Sequence, residues 1–460
     1  MISFFEVLAR WLRSPAFKFC LVAFLILLLL IPLFMVAALI SERENRARGV
    51  RAEVGRTWGP EQRLLGPFLM VPYTIRVETV QADKRVETIH ERRAVFTPEA
   101  LQVAGRIEAK TLRRSIFDVP VYAAQLKLTG RFATPRISDV AAEVAAVRWR
   151  DAILVLGLTG VSGLKDAAVL KITGATDVLF APSVGYPAGS LTGIHARLAD
   201  AGASVQADPD KPPAPFAYTI DLAFNGSVSL DVAPVARETR VALASNWPHP
   251  SFAGAFLPDE RQVTKAGFTA SWKVPHLARS VPEAWSLAEA GIDRLGAYAF
   301  GVRMIEPVDF YSLVNRAAKY GLMFLTLAFM AVFCLDLLSG HAVHPVQYLF
   351  TGIALVYFYV LLLSFAEHIG FTGAYVIASL ATGSMLATYI GAVLASRRTG
   401  LIMFAVFAVT YLLLYLILQL EDYALLAGAL LGFVALTVVM FVTRRVNWSG
   451  RAAPVVPGGA

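Results

Sequence analysis

The 460-residue chain has few charged residues and almost no cysteine. Charged residues make up 17% of it, against about 25% in a typical soluble domain, and 56% of its residues are hydrophobic. Its two cysteines, Cys20 and Cys334, both lie in apolar runs, which excludes a disulfide or a cysteine metal site in the polar part. The sequence also lacks a P-loop, a glycine-rich dinucleotide fingerprint and a nucleophile elbow. It therefore names no reaction by motif.

Six long apolar runs account for the low charge. The first, residues 19–40, has 22 residues without a charge, enough to cross about 30 Å of hydrocarbon. A cleaved signal peptide has an apolar core of only about 7–15 residues, so we predict an uncleaved anchor helix. The other five runs predict a bundle of five transmembrane helices at 320–338, 346–366, 371–395, 400–419 and 424–442.

The charges of the short loops predict the orientation. One set of loops carries only basic charge, namely Arg397, Arg398, Arg444, Arg445 and Arg451. The opposite loops carry Glu367, Glu421 and Asp422 and no lysine or arginine. By the positive-inside rule, both termini lie in the cytoplasm and residues 41–319 lie outside.

The predicted domain order follows from these spans. It consists of a cytoplasmic N-terminus (1–18), a first transmembrane helix (19–40), an external, mainly β domain with an N-terminal helical stalk (41–319), five transmembrane helices (320–442) and a cytoplasmic tail (443–460).

The external segment alternates apolar and polar residues in the manner of strands. The strand patterns, rich in β-branched and aromatic residues, lie at 68–80, 84–96, 101–112, 121–132, 146–158, 217–235, 239–247, 267–274 and 297–305. Asn225-Gly226 predicts a two-residue hairpin turn. Within the external segment, residues 280–295 are the only stretch after the stalk that predicts a helix. The fold class is therefore α+β: an anchor helix, a mainly antiparallel β-sandwich and a helical bundle.

The stretch "SNWPHPSFAGAFLP" (245–258) follows a predicted strand. Its prolines favour extended backbone and remove donors, so it predicts a stiff exit from a sheet. Trp247, His249 and Phe252 are the candidate residues here. Two interpretations stay open, a rigid aromatic corner and a binding groove that uses His249.

Two polar clusters are predicted at the membrane faces. Asp336, His341 and His344 lie near the inner face, where they could hold a divalent cation or relay a proton, or simply reach water. Glu367 and His368 lie at the outer end of the third span. They could pair with Arg316 or Lys319 and couple the external domain to the bundle, or snorkel at the boundary. We assign no catalytic residue, no metal and no cofactor.

Several long strings resemble the CreD family of bacterial inner-membrane proteins. They are "LLGPFLMVPY" (64–73), "SNWPHPSFAGAFLP" (245–258), "GFTASW" (267–272), "EPVDFYSLVNRAAKYG" (306–321) and "HPVQYLFTGIALVYFYVLLLSFAEHIGF" (344–371). Where the family has a glutamate near the end of the second span, this chain has Asp336, which weakens any claim that the longer side chain is required. The resemblance implies a cell-envelope integrity protein of the envelope-stress response, typically under a two-component system that also affects β-lactam resistance. No reaction is assigned to the family, so the resemblance implies no catalytic residue.

The functional prediction is a multi-pass protein of the bacterial inner membrane that supports envelope integrity by binding an envelope partner. Its expected partners are membrane lipid and a periplasmic protein or cell-wall component, with no nucleic acid; the oligomeric state stays open. We expect no enzymatic activity. Two alternatives stay open: a transporter or channel subunit, and a membrane enzyme acting on lipid or cell-wall precursors.

Overall fold

The computed structural model describes residues 15–81, 84–186, 191–202, 205–206, 208, 210–288, 292–305, 310–339, 343–420 and 423–444. The chain divides into two compact units. One, here the membrane unit, comprises Met1–Ala47 and Val308–Ala460. The other, here the sheet unit, comprises Arg48–Pro307.

Seven α-helices are described. They are α1 (Pro15–Trp58), α2 (Asp293–Gly296), α3 (Phe310–Lys319), α4 (Gly321–Ser339), α5 (Pro345–Val393), α6 (Arg397–Gln419) and α7 (Ala424–Thr443). By length and composition, four of them are able to cross a membrane, namely α1, α5, α6 and α7. A fifth span results if α3 and α4, which meet at a 51° bend, are taken together.

Helix α5 is two helices in one. Its 49 residues would measure about 73 Å at 1.5 Å per residue, more than twice the hydrocarbon thickness. Gly370 interrupts it with φ 77° and ψ 169°, a backbone conformation that only glycine adopts readily. The Phe358 and Tyr375 ring centroids, one from each half, lie 5.4 Å apart. The two halves therefore fold back on each other.

Eighteen strands are described. They are β1 (Gln62–Gln81), β2 (Lys84–Phe96), β3 (Ala100–Arg114), β4 (Phe117–Phe132), β5 (Ala146–Val147), β6 (Ile153–Leu158), β7 (Val169–Ile172), β8 (Val178–Leu179), β9 (Ala181–Pro182), β10 (Gly193–Arg197), β11 (Phe216–Ser227), β12 (Ser229–Val232), β13 (Glu238–Ser245), β14 (Pro250–Gly254), β15 (Glu260–Thr264), β16 (Gly267–Pro275), β17 (Ala284–Ser286) and β18 (Phe300–Met304).

These strands form two sheets. The ten-stranded sheet runs β14-β18-β12-β1-β6-β10-β9, with β2 and β5 on β1 and β17 on β2. The eight-stranded sheet runs β15-β16-β13-β3-β4-β11-β7-β8. Pairing is mainly antiparallel, but β1–β12 and β3–β13 are parallel. The α+β class is confirmed, and the sheets are mixed.

The inner faces of the two sheets share one hydrophobic core. Alternate residues of β3 and β4, such as Val103 and Leu128, are buried, as the period of a strand requires. Trp272 of the eight-stranded sheet meets Phe300 of the ten-stranded sheet with ring centroids 5.5 Å apart. The two sheets thus contribute to one core.

The Asn225-Gly226 prediction of a hairpin turn was wrong. Strand β11 continues through both residues to Ser227 and stays paired with β4. A side chain at Gly226 would collide with the Tyr122 ring, so glycine serves close packing here. The chain leaves the sheet only at Val228, whose φ is 63°, and β12 then joins the other sheet.

The predicted helix over 280–295 is also absent from the described residues of that segment. Residues 284–286 form β17, which pairs with β2, and α2 is one turn long. Trp285 is buried against Phe68, with ring centroids 6.2 Å apart. Burial of this ring in the sandwich overrides the local helical pattern.

The charged segment after the first apolar run is helical. Helix α1 runs unbroken from the apolar segment to Trp58. Its last turns pack on the sheet unit, where Val54 joins a small core with Val119 and Val121.

Candidate functional site

The segment that follows β13 is held in place by a hydrogen bond and by ring contacts. Trp247 Nε1 donates to the Ile305 carbonyl at 3.1 Å. Phe252, on β14, makes edge-to-face contacts with Phe268 and Trp272 at 5.6 and 5.9 Å. The His249 side chain is exposed, and among the described residues it makes no hydrogen bond or ion pair. These contacts hold the Trp247 and Phe252 rings against neighbouring strands of the sheet unit.

Asp336 is the centre of a buried polar cluster in the membrane unit. Its carboxylate is fully buried and accepts from Lys18 Nζ at 2.7 Å, the Val343 N–H at 3.0 Å and the Tyr348 hydroxyl at 3.2 Å. These donors come from α1, from the turn before α5 and from α5 itself. A buried carboxylate needs such compensation. The cluster thus joins α1 to the α4–α5 turn.

The neighbouring histidines do not complete a metal site in the described part of the chain. His344 is the N-cap of α5: its Nδ1 accepts from the Val346 N–H at 3.3 Å, and Gln347 completes a capping box. His341 lies outside the described residues. Within the described ranges, no group of three or more His, Cys, Asp or Glu side chains could hold a metal ion.

Glu367 lies at the end of the first half of α5. Its Oε1 accepts from the Tyr311 hydroxyl at 3.1 Å and lies 3.8 Å from Arg43 Nε. Arg316 donates to the Leu418 carbonyl at 3.1 Å, which ties α3 to α6. Lys319 and His368 are exposed. The structure thus supplies for Glu367 a cation, Arg43, that the sequence pattern did not suggest.

The two ion pairs mark opposite ends of the apolar part of α1. Lys18 and Arg43 are 25 residues apart, which is about 37 Å along a helix. The hydrocarbon core of a bilayer is about 30 Å thick, and about 40–45 Å with headgroups. The separation of the two ion pairs along α1 is therefore comparable with the thickness of one bilayer.

The outer face of the eight-stranded sheet is a concave surface of the sheet unit. One row of cross-strand neighbours runs across it: Asp221, Lys127, Ala104, Ala242, Ser271 and Glu260. The next row is Ala223, Gln125, Arg106, Ala244, Thr269 and Gln262. Small residues, namely Ala104, Ala242, Ala244 and Ser271, alternate in these rows with long polar ones such as Lys127, Gln125 and Arg106. We name this surface the trough.

Three adjoining concavities make up the trough. Their volumes are about 1070, 1010 and 690 Å³. The first shares Arg106 and Thr269 with the second, and Ala104 and Ser271 with the third. Along β3 the trough extends from Gln102 to Lys110, about 26 Å at 3.3 Å per residue. It is too long and open for one small ligand.

One end of the trough carries an aromatic–cation group. The ammonium groups of Lys110 and Lys165 lie 4.3 and 6.0 Å from the centroid of Trp58. Trp58 Nε1 donates to the Tyr122 carbonyl at 3.2 Å, which fixes the ring. Burial raises the pKa of the Tyr122 phenol well above its ordinary value, with Asp231 and Glu61 acting in the same direction. Tyr122 is therefore neutral and donates to the Ser229 carbonyl at 2.7 Å.

Arg279 and Asp231 of the sheet unit also have altered pKa values. Arg279 is buried and donates to the carbonyls of Val235, Ala236 and Val281 at 2.7–3.4 Å. Burial lowers the pKa of its guanidinium, and Glu283 and Tyr298 oppose this. Burial raises the pKa of Asp231, and Arg63 and Arg303 oppose it.

The trough could not be identified from the sequence alone. Its floor consists of alternate residues of strands that pair across long sequence separations, including the parallel β3–β13 pair. A weak clue was present: Ala104 of β3 and Ala242 of β13 are alanines at outward positions where a strand usually carries β-branched residues.

Fold and sites together define a multi-pass membrane protein with a large mixed-sheet unit, a buried carboxylate paired with a lysine among its helices and a long open trough on one sheet. The profile of the family described as "Inner membrane protein CreD" matches residues 14–449. The chain is 31% identical over 445 residues to Inner membrane protein CreD of Escherichia coli (strain K12), covering 96% of each chain. The chain belongs to the CreD family of inner membrane proteins.

Proposed function

We propose that this protein supports cell-envelope integrity by binding an envelope partner through its sheet unit, which lies in the periplasm. The observation that carries the proposal is the trough: a long concave sheet face with exposed Ala104 and Ala242 on its floor. Among the described residues of the sheet unit, no other element covers this floor. An uncovered concavity of this size is where a macromolecular partner would bind.

The topology that we propose has six crossings and both termini in the cytoplasm. The two ion pairs of α1 support it, because they lie about one membrane thickness apart, and the fold-back at Gly370 supplies the extra crossing within α5. The basic loop at Arg397 and Arg398 then lies inside, with Asp336 on the same side and Glu367 opposite.

Photocrosslinking in living cells tests the function. A photoreactive residue replaces Ala104 or Gln262 in the trough, and Ala253 or Arg150 serves as the exposed control elsewhere on the unit. We expect one recurrent adduct from the trough positions and none from the controls. Equal adducts at all four positions, or adducts only within the chain, would contradict the proposal.

A further inference from the structure

We propose that the trough binds an acidic glycan, a sugar polymer that carries carboxylates. This assignment rests on the proposed function and names the chemistry of the partner.

The charges that line the trough favour an anionic occupant. Eight lysine and arginine side chains and five carboxylates line the three concavities, an excess of three positive charges. The cations are Lys110, Lys127, Lys165, Lys171, Arg106, Arg240, Arg261 and Lys273; the carboxylates are Glu108, Asp166, Asp221, Asp259 and Glu260.

Ion pairs within the sheet unit occupy four of the eight cations and leave Lys110 of β3 and Lys127 of β4 without a carboxylate partner among the described residues. Lys171 pairs with Asp221 at 3.0 Å and Arg106 with Glu108 at 3.7 Å. Arg240 and Lys273 both pair with Glu238, at 2.6 and 3.7 Å. Lys127, beside Ala104 at the centre, makes no hydrogen bond or ion pair with the described residues. Lys110 is held over Trp58 at one end. An anionic polymer lying along these strands would meet both cations in turn.

The uncharged lining favours a sugar over a polypeptide. The exposed side chains between the charges are amides, hydroxyls and alanines, such as Gln125, Gln262, Thr269 and Ala242. None of the exposed large apolar side chains among the described residues lines the trough. Polypeptide partners draw most of their affinity from apolar and aromatic anchors in pockets, which this floor does not offer.

The backbone of the floor leads to the same conclusion. Strands β4, β3, β13 and β16 each pair on both sides, so a peptide has no strand edge to join at the floor. Side-chain amides and hydroxyls remain, and these donate to and accept from sugar hydroxyls. The trough thus has many hydrogen-bonding groups for a hydroxyl-rich polyanion. It has few groups that would bind an acidic peptide.

Binding of the full-length protein in nanodiscs to defined polymers tests the inference. The probes are oligogalacturonate, a neutral glucan of equal length and poly-L-glutamate of equal charge. We expect oligogalacturonate alone to bind, with affinity that falls steeply as salt rises, because exposed charges are screened. The double variant Lys110→Ala/Lys127→Ala should weaken it at least tenfold, and Ala104→Trp should abolish it by filling the floor. The matched controls Arg150→Ala/Arg197→Ala and Ala253→Trp should bind as the parent does.

Two sources of such a glycan are separated by a second arm. Co-sedimentation with purified peptidoglycan sacculi that depends on Lys127 would assign the wall polymer; binding to soluble oligogalacturonate alone would assign a free acidic polysaccharide. Equal binding of poly-L-glutamate, or no binding of any glycan, would overturn the inference. In that case a single protein adduct from a photoreactive residue at position 104 in cells would still support the proposed function. Absence of any adduct would contradict both the inference and the proposed function.

Discussion

The Lys18–Asp336 pair gives the sharpest stability prediction. Lys18→Met removes the ammonium that lies 2.7 Å from a fully buried carboxylate, which also accepts from the Val343 N–H and the Tyr348 hydroxyl. Removing one partner of a buried pair costs about 3–5 kcal/mol. Asp336→Asn should cost less, about 1–2 kcal/mol, because Lys18 is 18% exposed and its flexible stem lets the ammonium reach water.

The double variant decides whether the two side chains act together. We expect Lys18→Met/Asp336→Asn to lose about 2 kcal/mol less than the sum of the single variants, since contacting residues couple by about 0.5–3 kcal/mol. A loss of 3 kcal/mol corresponds to about 6–12 °C in Tm at about 2–4 °C per kcal/mol for a unit of this size.

The native thiols provide the assay. Cys334 is half-buried on α4 two residues before Asp336, so in a Cys20→Ser background its reaction with a thiol dye on heating reports local unfolding. Lys319→Met, at an exposed lysine of the same unit, is the matched control and should leave Tm unchanged. The reasoning would be refuted if the stability losses of the two single variants were additive in the double variant. A Tm shift under 1 °C for Lys18→Met would also refute it.

Three further predictions follow from single side chains. His344→Ala should lose about 1 kcal/mol of stability and His344→Asn should restore it, with no change of bound metal by elemental analysis; a loss of metal would contradict the capping role. Arg279→Lys should lower the stability of the sheet unit by about 2–4 kcal/mol in thermal unfolding, because one ammonium cannot reach three carbonyls; an unchanged Tm would contradict this. The pKa of Asp231 is raised in the folded state, so the native form binds the proton more tightly and stability falls as pH rises from the ordinary carboxyl range to that raised pKa. Asp231→Asn should therefore stabilise the protein more at pH 7 than at pH 4, and a reversed order would show that Arg63 and Arg303 outweigh burial.

The features that could be predicted from the sequence are those set by local composition. The apolar run at 19–40 and the alternation in β3 and β4 each produce their element without long-range information. The predictions of a helix at 280–295 and of a turn at Asn225-Gly226 were wrong because groups distant in sequence determine the backbone structure there. These groups are the core around Trp285 and the Tyr122 ring that packs against Gly226.

The sites needed the structure because their partners lie far apart in sequence. Lys18 is 318 residues from Asp336, and Arg43 is 324 residues from Glu367. A sequence pattern shows that an ionisable residue lies near a membrane face, but not which cation reaches it. The trough depends on register between β3 and β13, which no local signal specifies.

The most direct test of the trough as the functional surface is envelope permeability in cells. A strain that lacks the protein receives either the parent or Ala104→Trp/Ala242→Trp, which fills the floor at two exposed positions without changing charge. Uptake of a dye that the intact envelope excludes is then measured, with Ala253→Trp as the control and membrane levels of each variant matched. We predict that the trough-filled variant behaves like the strain without the protein while the control restores the barrier. Full restoration by Ala104→Trp/Ala242→Trp would contradict the account.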